Sequence, residues 1–416
     1  PFVGKKEQTK TQKADLLKVL GKLKGAGNLD YVTGWYAIAS RMIAGKQTGV
    51  AFVSTNSITQ GEQAPSFGKL LESENVTIRF AHRTFRWDSE ANEKAHVHCV
   101  IIGFGNDAAA EKAIYVNDEK LSCSNINVYL LDAPSVIIES RTRTICDVPQ
   151  ISYGSMPIDD GHLILDEDAR DALLAENENN NRFIRNYAGG AELLKNKARW
   201  CIWLHGCAPA EYKKSRFIME RISLTQKFRQ SSSRPQTLAL ADTPMLFGEI
   251  RQPSTPMLAI PKVSSERRRY IPISYVNPET IINGSALIIP DADMYIFGVL
   301  TSNVHMAWMR VVAGRLETRY QYSGNVVYNN FPWPSPALEQ RQKIENTAQG
   351  ILDARALYPD NTLADLYDPL TMPPELRKAH DRNNAAVMKA YGFPTSMSEA
   401  ECVAALMRMY QELTSN

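Results

Sequence analysis

Three groups of residues in this chain have the types and spacing to bind a ligand or do chemistry. The first is Ser54-Thr55-Asn56, which closes the apolar run that begins at Val50. A short apolar run bounded by turn signals fits a buried strand of an α/β sheet, and such sheets bind ligands at the carboxyl ends of their strands. These polar side chains are therefore expected to line the wall of a site. The second group is His82-Arg83-Thr84-Phe85-Arg86-Trp87, inside the stretch Ala81 to Lys94 that joins the alternating Val76, Ile78 and Phe80 to the apolar run Val97 to Phe104. A connection that long is uncommon unless it is functional or disordered, and this one carries two aromatics and two arginines, so it reads as a loop that touches a ligand. The third group is Gly314 to Tyr322. If that segment is one extended strand, Glu317, Arg319 and Gln321 share a face. Glu accepts from cytosine N4, Arg grips guanine with two bonds and Gln does the same to adenine, which makes this face a candidate base reader; a salt-bridged surface strand is the alternative.

Charge supports a polyanionic partner locally rather than globally. The chain is almost neutral, at +2 over 416 residues. Between Glu211 and Tyr270, however, Lys213, Lys214, Arg216, Arg221, Lys227, Arg229, Arg234, Arg251, Lys262, Arg267, Arg268 and Arg269 outnumber the acids and are interleaved with serines. That pattern suits phosphate contacts that set a protein's register on a duplex, although a solvated charged face has the same composition. A second basic cluster, Lys5, Lys6, Lys10 and Lys13 onward, offers the same two readings. The 6 cysteines form no Cys-x-x-Cys pair and only His96 and His98 among the 7 histidines are close, so no metal site is expected. No apolar run of about 18 residues is present, and a soluble cytoplasmic protein without a membrane partner is expected.

The elements that must position these residues follow from periodicity. A hydrophobic content of 44% can supply a large core, and the length suggests two or three domains. Tyr31, Val32, Trp35, Ile38, Ala39, Met42 and Ile43 have the spacing of an amphipathic helix that packs on the sheet, and Phe67 to Leu71 reads as another helix. Gln8 to Leu23 is a flexible loop or a helix start. From Ile151 to Pro334 short strand-like runs, among them Met257 to Ile260, Ala286 to Ile289 and Val326 to Tyr328, alternate with helical spans in an α+β texture. Phe331-Pro332-Trp333-Pro334-Ser335-Pro336 reads as a rigid linker, because proline fixes φ and stops helix and sheet alike. Ala337 to Leu357 and Ser398 to Leu413 are helical in pattern.

Several blocks carry a family resemblance: Pro1-Phe2-Val3-Gly4-Lys5-Lys6, then VAFVSTNSITQGEQ, AHRTFRW, VHCVIIGF, CDVPQISYGSMPIDDGHL, ARWCIWL, VYNNFPWP and ILDARALYPDNTLADLYDPLTMPPELRKAH. In this order they resemble the MmeI-like group of single-chain restriction–modification enzymes, which join a nuclease, an adenine-N6 DNA methyltransferase and a target recognition domain. The resemblance implies a partial class I methyltransferase of Rossmann-like α/β fold over residues 1–149, an α+β target recognition domain over 150–334 and a small C-terminal helical domain over 335–416. It also implies site-specific methylation of adenine N6 in double-stranded DNA with S-adenosylmethionine. A DNA-binding specificity module without catalysis of its own is the alternative.

Within that resemblance Pro1-Phe2 look like the last half of the family's Asn-Pro-Pro-Phe tetrapeptide, so the catalytic Asn, the first Pro and the Gly-rich turn that holds the cofactor are expected upstream, on another half of the same polypeptide. The chain alone is then expected to be inactive. Phe2 would stack on a flipped adenine from one side, and Phe85, with Trp87 as second choice, from the other; the competing reading is that these two aromatics plug the loop into the core. Lys5, Lys6, Arg83, Arg86, Arg267, Arg268 and Arg269 would meet DNA phosphates, and Glu317, Arg319 and Gln321 would read bases.

Overall fold

A computed structural model describes residues 2–87, 97–107, 111–117 and 119–415, arranged as two compact units that are each discontinuous in sequence. The first comprises Pro1–Asp147, Asn303–Pro336 and Met388–Asn416; the second comprises Val148–Ser302 and Ala337–Val387.

The first unit is built on a sheet of five strands: β1 (Val50–Thr55), β2 (Thr77–Trp87), β3 (Val97–Gly105), β4 (Lys112–Val116) and β5 (Glu119–Cys123), in the order β1-β3-β2-β4-β5. β3 lies antiparallel between β1 and β2, pairing Val50 with Phe104 on one side and Ile78 with Phe104 on the other. β1 and β2 therefore run the same way and need a crossover, which helix α3 (Gln63–Ser73) supplies. That helix forms because Ala64, Phe67, Leu70 and Leu71 recur at helical spacing, and all four are buried. Phe67 meets the ring of Tyr36 edge-on at 4.9 Å, and Tyr36 stacks on Phe104 of β3 at 5.3 Å. Truncating a fully buried ring such as Phe67 to alanine would cost about 3–5 kcal/mol. On the other face of the sheet the ring of Phe80 lies over Gly103, where a Cβ would come within 2.1 Å of it, so this position of β3 requires glycine.

Tyr36 belongs to helix α2 (Thr33–Met42), which lies within the expected span. Its buried face matches expectation in part: Val32, Ala39 and Ile43 are buried together with Tyr36, Ala37 and Ser40, whereas Trp35, Ile38 and Met42 are exposed. The lysine-rich segment is not a loop but helix α1 (Lys10–Leu20), started by a reciprocal cap in which Gln12 N donates to Thr9 Oγ1 and Thr9 N donates to Gln12 Oε1.

Later parts of the chain complete this unit. The helices Asn303–Val312 and Glu399–Thr414 pack together, with Trp308 and Tyr410 rings 6.1 Å apart. Val326 to Tyr328, strand-like in its apolar run, instead belongs to a single π turn, Gly324–Tyr328. The reason lies next to it: buried Asn330 donates through Nδ2 to the carbonyls of Glu139, Asn325 and Val326, and Asn329 donates to that of Arg141, so the coil pins the 139–145 segment.

The second unit holds two four-stranded sheets. One runs Ser274–Val276, Met257–Pro261, Ala286–Pro290, Ser152–Tyr153, and the other Thr280–Ile282, Ile184–Ala188, Trp200–Ile202, Ile164–Leu165. Met257, Ala259, Ala286 and Ile288 are buried on the first, as continuous apolar runs require. Helix Leu338–Ala356 sets Ile344 and Ala348 against Gly298, and a Cβ there would fall 2.7 Å from Ile344. Tyr270 stacks on His380 at 4.0 Å, and the Tyr367 hydroxyl bonds to His380 Nε2 at 2.7 Å. Burial drives the His380 imidazole well below its ordinary pKa, so it sits there neutral.

Candidate functional site

The N-terminal segment is moored at the carboxyl end of β1. Pro1 lies outside the described residues, and Phe2 is 55% exposed. From Val3 onward the chain is tied down: the Val3 carbonyl accepts from Tyr31 N at 3.0 Å, and Gln8 Nε2 donates to the Leu29 carbonyl at 3.0 Å. Asp30, only 6% exposed, accepts from Lys5 N through Oδ1 at 2.9 Å and from the Ser57 hydroxyl through Oδ2 at 2.5 Å. Its own amide donates to Gln63 Oε1 at 3.0 Å, at the start of α3. The side chains of Lys5 and Lys6 are exposed, and the Lys5 ammonium donates to Asn28 Oδ1.

Of the three residues expected to line the wall, Ser54 does not. It is fully buried, with its hydroxyl 2.8 Å from that of Tyr36, because successive strand side chains alternate and Ser54 shares the inward parity of Phe52. Thr55 and Asn56 are half-buried, and Thr55 Oγ1 lies 3.0 Å from Ser57 Oγ.

The segment expected as a loop from Ala81 is strand through Trp87; residues 88–94 lie outside the described residues. β2 carries register shifts between Ile78 and Phe80 and between His82 and Phe85, after which Phe85 pairs with Cys99 and Trp87 with Val97. Bulges of this kind re-aim side chains. Phe85 is half-buried, Trp87 is 50% exposed, and their rings lie 6.3 Å apart. Burial lowers the Arg83 guanidinium below the ordinary arginine range, and Glu399 partly offsets this. Arg86 is exposed and has a bonding partner in the fold.

Gly314 to Tyr322 is not one strand. Gly314–Leu316 and Arg319–Gln321 pair antiparallel as a hairpin, and Glu317 occupies the turn with φ +58°. Arg319 bonds to Glu317 Oε2 at 2.9 Å. Glu317, Arg319 and Gln321 are exposed, whereas Tyr320 is buried under the Arg315 guanidinium, 3.8 Å above its ring. The root of this hairpin belongs to the same unit as the sheet, and it touches the turn that follows β1. Gly61, with φ +52°, lies so close that a Cβ on it would sit 2.9 Å from Gly314 Cα.

In the second unit the basic segment is less available than its composition implies. Arg229 is fully buried in helix Arg216–Gln230 and donates to five carbonyls, those of Pro157, Ile158, Leu240, Thr243 and Leu246. It knits loops together and is unavailable to a ligand. Arg251 is paired with Glu249, and Lys262 lies 4.7 Å over the Tyr153 ring. Of the three consecutive arginines, Arg269 pairs with Asp381 at 3.2 Å and Arg268 is half-buried, its pKa lowered by burial and partly restored by Asp368. Arg267 is exposed, as are Lys213, Lys214, Arg216, Lys227 and Arg234.

Asp30, Ser57, Gly61, Gly314 and Arg229 escaped the sequence reading in these roles. A carboxylate bonded to a main-chain amide 25 positions away leaves no periodic signal, and a glycine in a positive-φ turn looks like any other loop glycine. Among the described residues no group of three or more His, Cys, Asp or Glu could hold a metal ion, and no helix is long and apolar enough to cross a membrane.

Comparison with known proteins matches the chain to three family models in sequence order. Residues 1–116 match the DNA-methyltransferase domain of MmeI, residues 132–335 its target recognition domain and residues 337–416 its C-terminal domain. DNA methyltransferase A of Bacillus subtilis (strain 168) is 36% identical over 415 residues, which cover 100% of this chain and 47% of that protein. The structure of the Type IIL restriction–modification enzyme MmeI in complex with DNA superposes with a TM-score of 0.91 at 44% identity, covering 100% of this chain and 56% of that one. The chain thus spans about half the length of the relatives it matches.

Proposed function

The chain belongs to the MmeI family of restriction–modification enzymes, of which it carries methyltransferase, target recognition and C-terminal domains, and from that premise we propose that it forms part of a longer enzyme that methylates adenine N6 within a specific sequence of double-stranded DNA. The observation that carries this reading is the tie, through Asp30, of the N-terminal segment at Lys5 to the turn at the carboxyl end of β1, in a sheet where antiparallel β3 separates two strands of common direction. This is the arrangement with which a class I methyltransferase sheet closes, and the strand ends are where such sheets bind ligands.

Chemistry on a base requires taking it out of the duplex and holding it between side chains. Exposed Phe2 supplies one aromatic surface, and Phe85 or Trp87, re-aimed by the bulge in β2, supplies the other. The exocyclic nitrogen is a poor nucleophile because its lone pair is delocalised into the ring, so rate enhancement rests on placement and on hydrogen bonds that polarise the amine. The hairpin Gly314–Gln321 offers Arg319 and Gln321 to base edges, and Arg267, Lys5 and Lys6 are free enough of burial to meet phosphates.

S-adenosylmethionine would supply the methyl group as an electrophilic sulfonium. At the turn after β1 the side chains of Thr55, Ser57 and Asp30 bond to one another. We place the cofactor on a further half of the same polypeptide. Among the described residues β1 pairs only with β3, which leaves its second edge open, and Trp35, Ile38 and Met42 of α2 are exposed apolar side chains of the kind such a half would cover. Action on cellular DNA places the enzyme in the cytoplasm.

The test is to express the full-length enzyme in a methylation-free host and sequence the methylome. N6-methyladenine at one short motif is the expected result. Modification at cytosine only, or none in the presence of bound cofactor, would overturn the proposal.

A further inference from the structure

We propose that Asp30 is a positioning residue for methyl transfer, holding Phe2 in register with the carboxyl end of β1 through the Lys5 amide and the Ser57 hydroxyl. The inference rests on the methyltransferase reading above. A carboxylate that is almost fully buried is expensive unless its oxygens are satisfied, and Asp30 has no ion-pair partner among the described residues. It is satisfied instead by donors from two separate segments, one on each oxygen. Lys5 follows Phe2 by three positions in a stretch also held by Tyr31 at Val3, and Ser57 follows Thr55 by two. The carboxylate therefore bridges the segment that bears the aromatic surface and the turn that closes the strand.

The bridge also fixes proton directions. Ser57 donates to Asp30, so in the Thr55–Ser57 contact at 3.0 Å the hydrogen must come from Thr55. Thr55, half-buried at the end of β1, is left with its oxygen lone pairs as its remaining hydrogen-bonding capacity. Gln63 Oε1, accepting from the Asp30 amide, holds the same residue from the α3 side, so the carboxylate is anchored by its own main chain while it anchors the others. Among the described residues Asp30 is the acidic side chain that accepts from both Lys5 N and Ser57 Oγ.

The test uses the full-length enzyme with a duplex whose target adenine is replaced by 2-aminopurine, and a parallel duplex with adenine for kinetics. Misplacement on the scale of an ångström costs up to about 100-fold in rate, so Asp30→Ala should lower kcat by about 10- to 100-fold with KM for DNA and Kd within twofold of wild type. It should also raise 2-aminopurine emission, as the flipped base loses its stacking partner. Asp30→Asn keeps an acceptor for Lys5 and a donor for Ser57, and should recover most of kcat. Ser57→Ala, which removes one arm and no buried charge, should lose several-fold in kcat with an unchanged melting temperature. A kcat for both Asp30→Ala and Ser57→Ala within twofold of wild type would overturn the positioning role, as would a fall in kcat, DNA affinity and melting temperature together in both. A wild-type enzyme that flips no base and methylates no adenine would overturn the reading beneath it instead.

Discussion

Gly61 and Gly314 meet backbone to backbone, so that the turn after β1 and the root of the Gly314–Gln321 hairpin lean on one another without intervening side chains. Gly61 has a second reason to be glycine, since its φ of +52° costs an L-residue about 1–2 kcal/mol. Gly61→Ala should therefore push the hairpin away from the strand end, lowering methylation and loosening sequence preference together. Gly314→Ala is the control, because its Cβ would meet nothing nearer than 3.8 Å. Methylome sequencing of both variants checks this: loosened preference in Gly314→Ala, or an unaltered motif in Gly61→Ala, would separate hairpin placement from specificity.

For Phe85 and Trp87 the geometry makes the two distinguishable. Stacking on a base is worth about 1–3 kcal/mol. Removing the side chain that grips the base should lower methylation by that amount while DNA binding in a filter assay is unchanged. Half-buried Phe85, paired with Cys99, is the one whose loss should also lower the melting temperature, whereas exposed Trp87 should not. If neither Phe85→Ala nor Trp87→Ala changes the ratio of methylation to binding, β2 contributes no base clamp.

Arg319 and Arg267 should behave differently on DNA. An arginine at a base edge gives about 1–3 kcal/mol of discrimination at one position, and one at a phosphate weakens every sequence alike and lowers the salt slope by about one. Arg319→Ala should relax a single position of the motif, and Arg267→Ala should weaken binding uniformly. Glu317→Ala, which frees Arg319 from its turn partner, should shift the preferred base rather than abolish binding. A uniform loss in Arg319→Ala would reassign it to the backbone.

Much of this architecture was legible beforehand, and the failures have physical causes. Helix α3 follows from the helical spacing of Phe67, Leu70 and Leu71, and β1 from its apolar run, although Ala51 and Val53 of that run are exposed where a buried strand is expected. The outward apolar residues of α2 were misplaced because periodicity reports a stripe and not what covers it. The hairpin at Glu317 is compatible in sequence with one extended strand because alternation continues through a two-residue turn, and only the positive φ reveals the reversal. Arg229 was counted as surface charge because composition cannot tell a solvated guanidinium from one spent on carbonyl oxygens. The mooring at Asp30 depends on bonds between distant segments, which no local pattern encodes.

His305 should make the first unit sensitive to acid. Burial lowers its pKa to about 3 against an ordinary 6.5, while its Nε2 lies 2.9 Å from the Tyr322 hydroxyl. The folded state therefore binds fewer protons than the unfolded state between these values. Its contribution is fully present above pH 6.5 and is lost as pH falls toward 3, by up to about 1.4 kcal/mol per pH unit. His305→Gln, which retains a polar partner for Tyr322 and cannot titrate, should flatten the pH dependence of urea midpoints between pH 6.5 and 5. An unchanged slope would assign the acid sensitivity to other groups.

The broken path of the first unit has a consequence for how the protein is made. The five described strands of its sheet are all encoded by Cys123, yet the helix Glu399–Thr414 that packs on Trp308 is encoded much later. At synthesis rates of about 5–20 residues per second roughly 15–60 s separate the last strand from that helix. Until then the face of the Asn303–Val312 helix that carries Trp308 is open to chaperones. A stop codon late in the gene, sparing Phe2, Phe85, Trp87 and the Gly314–Gln321 hairpin, should therefore yield a polypeptide that is degraded rather than one that is merely less active.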